Sequence, residues 1–272
     1  MASGAAASEV PTLVPYAVLK VPAAREASAL HKSRRYPGVY WTLNDSRNGN
    51  YIFAFTRSGE PIGAGVRVAG AENKDWEALA ADDAGNLIIA DAGNNANKRK
   101  NLSVYVVPEP DPRVSTVTLP ASRVNFRYPD QDGFPPKKKN FDSEALFWAD
   151  GRLYLLTKHR DDTRTKLYAF GPLEAGKEQV LKLVGSFDAG AMVTDAAAGP
   201  GGRLAVLTYD GAWLFEKPAR PGGYFSGAGK RFSFGAGQCE GITFEDEETL
   251  LVGNEERELF ELKVSSFVRP GR

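Results

Sequence analysis

Asp75-Trp76-Glu77-Ala78-Leu79, Asp142-Ser143-Glu144-Ala145-Leu146, Val193-Thr194-Asp195-Ala196-Ala197 and Gln238-Cys239-Glu240-Gly241-Ile242 each place a carboxylate third in one short pattern. Glu26-Ala27-Ser28-Ala29-Leu30 fits with Ser in place of the acid. Each pattern is followed by a turn and an apolar run, from Val39-Tyr40-Trp41-Thr42 in the first to Leu250-Leu251-Val252 in the last. The third positions, Ser28, Glu77, Glu144, Asp195 and Glu240, lie 49, 67, 51 and 45 residues apart. Self-similarity of this kind, built from short strands, marks a radial or solenoid array. Each unit cannot bury its apolar faces alone and must stack on its neighbours.

Working outward, helical periodicity is almost absent. Apolar runs of a few residues alternate with Gly, Asp, Asn and Pro clusters, which argues for an all-β chain. Turn signals such as Asp83-Ala84-Gly85-Asn86 and Gly199-Pro200-Gly201-Gly202 fall where hairpins are needed. The first repeat reads as strands over 27–30, 38–43, 51–56 and 63–68, and the third as strands over 143–148, 152–157, 166–170 and 180–187. Four-stranded antiparallel units repeated around an axis make a β-propeller. The spacing gives five blades; six is the alternative if the Pro- and Lys-rich insert over 97–140 hides another. The last repeat supplies only three strands, so Tyr16-Ala17-Val18-Leu19-Lys20-Val21 is expected to close the ring as its fourth and leave no exposed edge. The domain is then 15–267, with tails over 1–14 and 268–272; the first tail reads as disordered, or as an expression scar replacing a removed signal.

At 272 residues, 42% apolar and 25% charged, the chain can bury a large core. Its 34 basic and 34 acidic residues cancel, so no global field draws it to nucleic acid or to an anionic membrane. No run approaches the ~18 apolar residues of a membrane helix, so no membrane insertion is expected. The start has neither a basic n-region nor an apolar h-region. Cys239 is alone, which excludes an internal disulfide framework and leaves the compartment open.

In a propeller blade the first strand lies nearest the axis, and the start of strand one meets the end of strand two on one face. Strand-one starts carry Asp75, Glu77, Asp142, Glu144, Asp195 and Glu240, the candidate metal ligands. Strand-two ends and the residues after them carry Asn44, Asp45, Asp91, Asn95 and Lys158, then His159, Arg160, Tyr209, Asn254 and Glu255, the candidate ligand contacts. Carboxylates crowded in a partly desolvated channel repel, and need a proton, a basic neighbour or a cation. Oxygen donors suit a hard cation, and Ca²⁺ takes six to eight of them. Zinc is disfavoured, since His31 and His159 are the only histidines and neither has ligand-like spacing. The competing reading has these acids accept backbone amides of the neighbouring blade and lock the repeats together.

Lys98-Arg99-Lys100, Pro135-Pro136-Lys137-Lys138-Lys139 and Lys158-His159-Arg160 border the same mouth. A basic rim beside a cation could hold a small anionic molecule such as a phosphoester. Other chemistry is poorly supported: there is no Gly-x-Ser-x-Gly elbow, phosphate-binding Gly-rich loop or His-Glu-x-x-His segment. Cys239 reads as packed, and Trp41, Trp76, Trp148 and Trp213 suit packing between blades.

The segments Tyr36-Pro-Gly-Val-Tyr-Trp-Thr-Leu-Asn44-Asp45-Ser46, Asp75-Trp76-Glu77, Asp91-Ala-Gly-Asn94-Asn95, Val104-Tyr-Val-Val-Pro108-Glu109-Pro110 and Asp142-Ser-Glu144 resemble a bacterial family of mostly uncharacterised, frequently exported β-propeller proteins. That resemblance runs from about Glu26 to Glu255. It implies a propeller and a periplasmic or secreted setting, but brings no established reaction. More distantly, Gln238-Cys239-Glu240-Gly241-Ile242 is similar to the inner-strand motif of calcium-dependent propellers, gluconolactonase-like lactonases and β-propeller phytases, in which the acid helps hold calcium. Those enzymes are six-bladed, and their full ligand and catalytic-base sets are not found here. The leading expectation is therefore a binding or scaffold propeller with a calcium site. The alternatives are a metal-dependent hydrolase of phosphoesters or lactones, in which Lys158, His159 or Arg160 contacts substrate, and a metal-free platform for a protein partner on the 97–140 insert.

Overall fold

The computed structural model describes residues 10–46 and 48–270; residues 1–9 and 271–272 of the expected tails lie outside it. Five antiparallel sheets follow one another along the chain. The first blade is β2 (His31–Lys32), β3 (Tyr40–Leu43), β4 (Tyr51–Phe55) and β5 (Pro61–Arg67). The second is β6 (Trp76–Ala81), β7 (Asn86–Asp91), β8 (Ser103–Pro108) and β9 (Ser122–Arg127). The third is β10 (Asp142–Ala149), β11 (Arg152–Lys158), β12 (Arg164–Ala169) and β14 (Lys182–Asp188). The fourth is β15 (Val193–Ala198), β16 (Leu204–Thr208), β17 (Gly211–Phe215) and β18 (Lys230–Ser233). The fifth is β19 (Cys239–Phe244), β20 (Thr249–Asn254) and β21 (Glu258–Lys263), completed by β1 (Ala17–Val18).

The molecule is thus a five-bladed β-propeller closed by its N-terminal strand. Ala17 faces Leu259 and Val18 faces Glu258. The Tyr16 and Leu19 amides donate to the Leu259 and Arg257 carbonyls at 2.9 and 2.7 Å. Before that strand, Leu13 donates to the Gly235 carbonyl at 2.8 Å, so part of the expected tail is tied to the fourth and fifth blades. Among the described residues no helix is long and apolar enough to cross a membrane.

Strand alternation explains why the apolar runs are continuous. A strand sends successive side chains to opposite faces, and an inner blade needs both faces apolar. In the second blade Leu79, Leu87, Ile89 and Tyr105 pack against Trp41 and Leu43 of the first. Ala78, Ile88, Ala90 and Val104 pack against Leu146 and Leu155 of the third. Equivalent cores lie between the third and fourth blades, the fourth and fifth, and the fifth and first. The four tryptophans take part in this packing, and Trp41 and Trp76 are fully buried. Trp41 donates to Glu109 at 2.7 Å and Trp213 to the Ala189 carbonyl at 2.8 Å, which satisfies the polar edge of each ring.

Two details differ from the sequence expectation. The first inner strand is not continuous over 27–30: only Ala27 bridges Asn44 before β2 begins at His31. Here the backbone of Leu30 leans on Gly241, where an added Cβ would fall 2.8 Å from the Leu30 amide nitrogen. Second, the strand expected over 180–187 is split. β13 (Glu178–Val180) runs parallel to β9 of the preceding blade, and buried Leu181 separates it from β14. As the five-blade count expected, the 97–140 insert hides no sixth blade. It holds β8, β9 and two long connections, one of which lies along β5: the Arg67 amide donates to the Thr116 carbonyl at 3.0 Å, and the Thr118 amide donates to the Arg67 carbonyl at 2.9 Å.

Candidate functional site

The repeated pattern is a β-bulge. In blades two, three and five the register between first and second strands slips at one residue, and the residue left over is Glu77, Glu144 or Glu240. A bulge leaves one residue unpaired, bends the strand and re-aims the side chain, which is why bulges recur beside functional sites. In blade one, Ser28 follows Ala27, the partner of Asn44, and takes the same place.

The fourth blade corrects the alignment. Its slip falls between Val193 and Asp195, so Thr194 is the counterpart of the three glutamates and Asp195 is one residue beyond. Because side chains alternate, a one-residue slip puts the group on the other face. Asp195 is accordingly 2% exposed and accepts the amides of Ile242 and Ala196, both at 2.8 Å. Burial drives its carboxyl well above the usual range, against the amide donors. It locks blade four to blade five and does not line the mouth.

A second tier follows from the partner strands. Asn44, Thr157, Thr208 and Asn254 pair with the residue before each bulge, and the residues after them, Asp45, Lys158, Tyr209 and Glu255, face the same cavity of about 180 Å³. Its lining is polar except for Ala27. Glu26 and Gln238 also line it; they sit two residues before the bulge, the position of Asp75 and Asp142 in the pattern, and that spacing could have marked them.

The cations gather on blade three. Lys158 Nζ lies 3.1 Å from Glu144 and donates to the Tyr209 hydroxyl at 2.7 Å. Tyr209 in turn donates to Glu240 Oε1 at 2.9 Å, and Gln238 donates to the same oxygen at 3.2 Å. Burial opposes the charge on Lys158, but Glu144 and Glu240 overcome it and hold the ammonium above its ordinary value. Burial raises Glu144 and Glu240 in turn, and Lys158 opposes both shifts. Arg160 donates to Asp142 at 3.0 and 2.6 Å, bonds to Asn95, and stands 3.6 Å from Glu144.

Several expected contacts serve other ends. Asp142 accepts the Asn94 amide at 2.6 Å and pins blade two to blade three. Asn44 donates to the Ala23 carbonyl at 2.7 Å, and Asn254 to that of Ala236 at 3.0 Å. Asp91 is fully buried, takes the Asp75 amide at 3.1 Å and pairs with Arg99 at 2.8 Å. His159 points away from the mouth onto Asp162 at 2.6 Å, and burial lowers its pKa. Lys137, Lys138 and Lys139 are exposed, and Cys239 is packed with its thiol pushed up to about 12 by burial.

What these cations leave uncompensated is the side of the mouth between blades one and two. Carboxylate oxygens of Asp45, Asp75 and Glu77 converge within 4.8 Å of one another. Arg99 approaches only Asp75, at 4.0 Å. Two such charges repel by about 3.5 kcal/mol at an effective dielectric near 20. Asp75 is pushed up to about 6 by burial and by Asp45, and Glu77 well above its ordinary value by burial, Glu144 and Asp45. Ser28 donates to Glu77 Oε2 at 3.0 Å and holds it in place. The space is kept by Gly93: a Cβ there would fall 2.4 Å from Glu77 Oε1 and 2.6 Å from Asp75 Oδ2.

No family model matches the chain, and no curated protein is significantly similar to it in sequence. In fold it is similar to the PQQ-bound aldose sugar dehydrogenase of Streptomyces coelicolor, with a TM-score of 0.55 and 12% identity over 94% of this chain and 98% of that one. A gluconolactonase of Xanthomonas campestris aligns at 0.48 and 14% over 90% and 72%. A virginiamycin B lyase of Staphylococcus aureus aligns at 0.44 and 12% over 88% and 66%. At 12% identity, what the chain shares with the dehydrogenase is the fold alone.

Proposed function

We propose that the chain is a β-propeller binding protein whose mouth holds a divalent cation, calcium by its donors, and offers it to a small anionic ligand. The observation that carries this reading is the convergence of Asp45, Asp75 and Glu77, which among the described residues have no lysine and only Arg99, 4.0 Å from Asp75, beside them. Oxygen donors at flexible geometry suit calcium, whose shell the ligand and water would complete. The Ser28 hydroxyl on Glu77 is the kind of outer partner that orients a ligating carboxylate. Gly93 supports the reading independently, because it leaves open the space beside two of the three carboxylates. Of the six acids expected from sequence, Asp75 and Glu77 remain as ligands and Asp45 joins them. Asp142 and Asp195 act as blade locks, while Glu144 and Glu240 belong with Lys158.

Lys158 and Arg160, across the mouth, supply the positive wall for the ligand's anionic group. An open calcium site of this type is filled at the millimolar calcium found outside cells. That favours a periplasmic or secreted setting.

The test is a thermal melt of chelator-stripped protein with and without Ca²⁺. A cation binding only the folded chain at 100 times its Kd adds about 2.7 kcal/mol, or roughly 5 °C for a chain of this size. Glu77→Gln should abolish that shift while melting in chelator at or above the wild-type temperature. Equal melting temperatures with and without Ca²⁺, Mg²⁺ and Mn²⁺ would refute the cation reading.

A further inference from the structure

The inner strands run from the acidic mouth to the opposite end of the channel, which opens into a larger cavity of about 510 Å³. All five blades contribute to it, and it differs from the first mouth in every physical respect. Among the described residues no carboxylate lines it, and its ionisable side chains are His31, Lys32 and Arg34. Leu146, Trp148 and Phe244 give it apolar walls, and Ala81 and Ala197 at strand ends keep it wide. The volume lies within the ~300–1,000 Å³ of small-molecule sites, which combine apolar walls with a few placed polar groups.

Those polar groups are not fully used by the protein. Arg34 meets Asp83 on the outer rim at 3.5 Å, with the two side chains 55% and 66% exposed. A pair that open to water contributes little and is readily exchanged. Asp83 also accepts the Trp148 indole at 2.8 Å. Lys32 pairs with Glu245 at 3.1 Å, the carboxylate standing outside the cavity lining. His31 Nε2 is inaccessible and has no hydrogen-bond partner among the described residues. Leaving such a group unpaired forfeits the hydrogen bond it would make in water. Burial, and then Arg34, lower the His31 pKa to about 4, so at neutral pH the ring is a neutral hydrogen-bonding group.

We propose that this cavity is a second binding site, independent of the cation site, for a small aromatic molecule bearing one carboxylate or sulfonate. Its ring lies against Leu146, Trp148 and Phe244, and its anionic group is held by Arg34 and Lys32. The two mouths of one channel then select opposite chemistries, a cation with polar groups at one and an apolar anion at the other.

The experiment is calorimetric titration of the full chain with 2-naphthoate, and with 2-naphthylmethanol as its uncharged counterpart. Naphthoate should bind about tenfold more tightly than the alcohol, and Arg34→Gln should erase that difference. Ala197→Phe, in the wall where it also packs against the core between blades four and five, should abolish binding of both while the calcium-induced rise in melting temperature persists. Equal affinity of the two probes, undiminished binding to Ala197→Phe, or no binding of naphthoate would each overturn the proposal. So would a protein partner displaced by Ala197→Phe when naphthoate itself does not bind. Loss of the calcium response with naphthoate binding intact would strike only the cation reading.

Discussion

Lys158 ties two acids of the mouth together, since it pairs with Glu144 directly, bonds the Tyr209 hydroxyl that donates to Glu240, and opposes the Glu240 charge. Lys158→Met should therefore destabilise the chain at pH 7 by about 3–5 kcal/mol, the usual cost of leaving buried charges unpaired. The deficit should shrink on acidification. Glu144 and Glu240 already have raised folded pKa values, and removing the ammonium raises them further. A carboxyl raised on folding favours the folded state below its unfolded pKa, and loses that contribution as pH rises through the folded value. Urea melts at pH 7 and pH 5 check this; an equal deficit at both would mean that the lysine acts by packing alone. At this scale the sequence was largely readable. Lys158, Tyr209, Glu240 and Glu77 are all marked by the repeat, because oxygen and nitrogen groups at one structural position keep one spacing. Asp195 was misread because no residue type announces a bulge: Thr194-Asp195 and Ser143-Glu144 look alike until the strand partners are known.

Elements decide which of those side chains meet. The turn after β7 brings the Gly93 backbone against Asp75 and Glu77, and its φ demands nothing special of glycine; only space does. Gly93→Ala should push the two carboxylates apart and weaken calcium binding at least tenfold, at a cost to stability of about 1–3 kcal/mol. A calcium titration of the melting temperature measures this, and an unaltered midpoint would show that the carboxylates do not act together. Gly93 could be read from sequence only as one of many turn glycines, since what it makes room for comes from another strand. β13 escaped for a related reason: its partner β9 lies in the previous blade, and a parallel pair made by a loop has no local signature.

For the whole molecule, the five-fold count followed from the repeat because each blade must bury both faces, and the five inter-blade cores bear this out. Closure is the fragile point. Leu19 and Val21 are 3% and 4% exposed, and β1 supplies the outer strand of the fifth blade. Removing residues 1–21 should strip two buried aliphatic side chains, each contributing about 1.5–3 kcal/mol, and uncover the edge of β21. The melting temperature should fall by about 10 °C in one cooperative transition. An unchanged melting temperature would show that the ring does not depend on its clasp.

That clasp joins the first strand of the described ring to its last. During synthesis β2 to β20 can pair as they emerge, while β1 waits with no partner until β21 has left the ribosome. The growing chain is therefore an open arc, with an unpaired edge at one end and an idle strand at the other. Two half-made copies could clasp each other before either clasps itself. Crowded ribosomes translating one message are where such swapped pairs would form, so the wait between making the two strands is the interval in which swapping competes with closure.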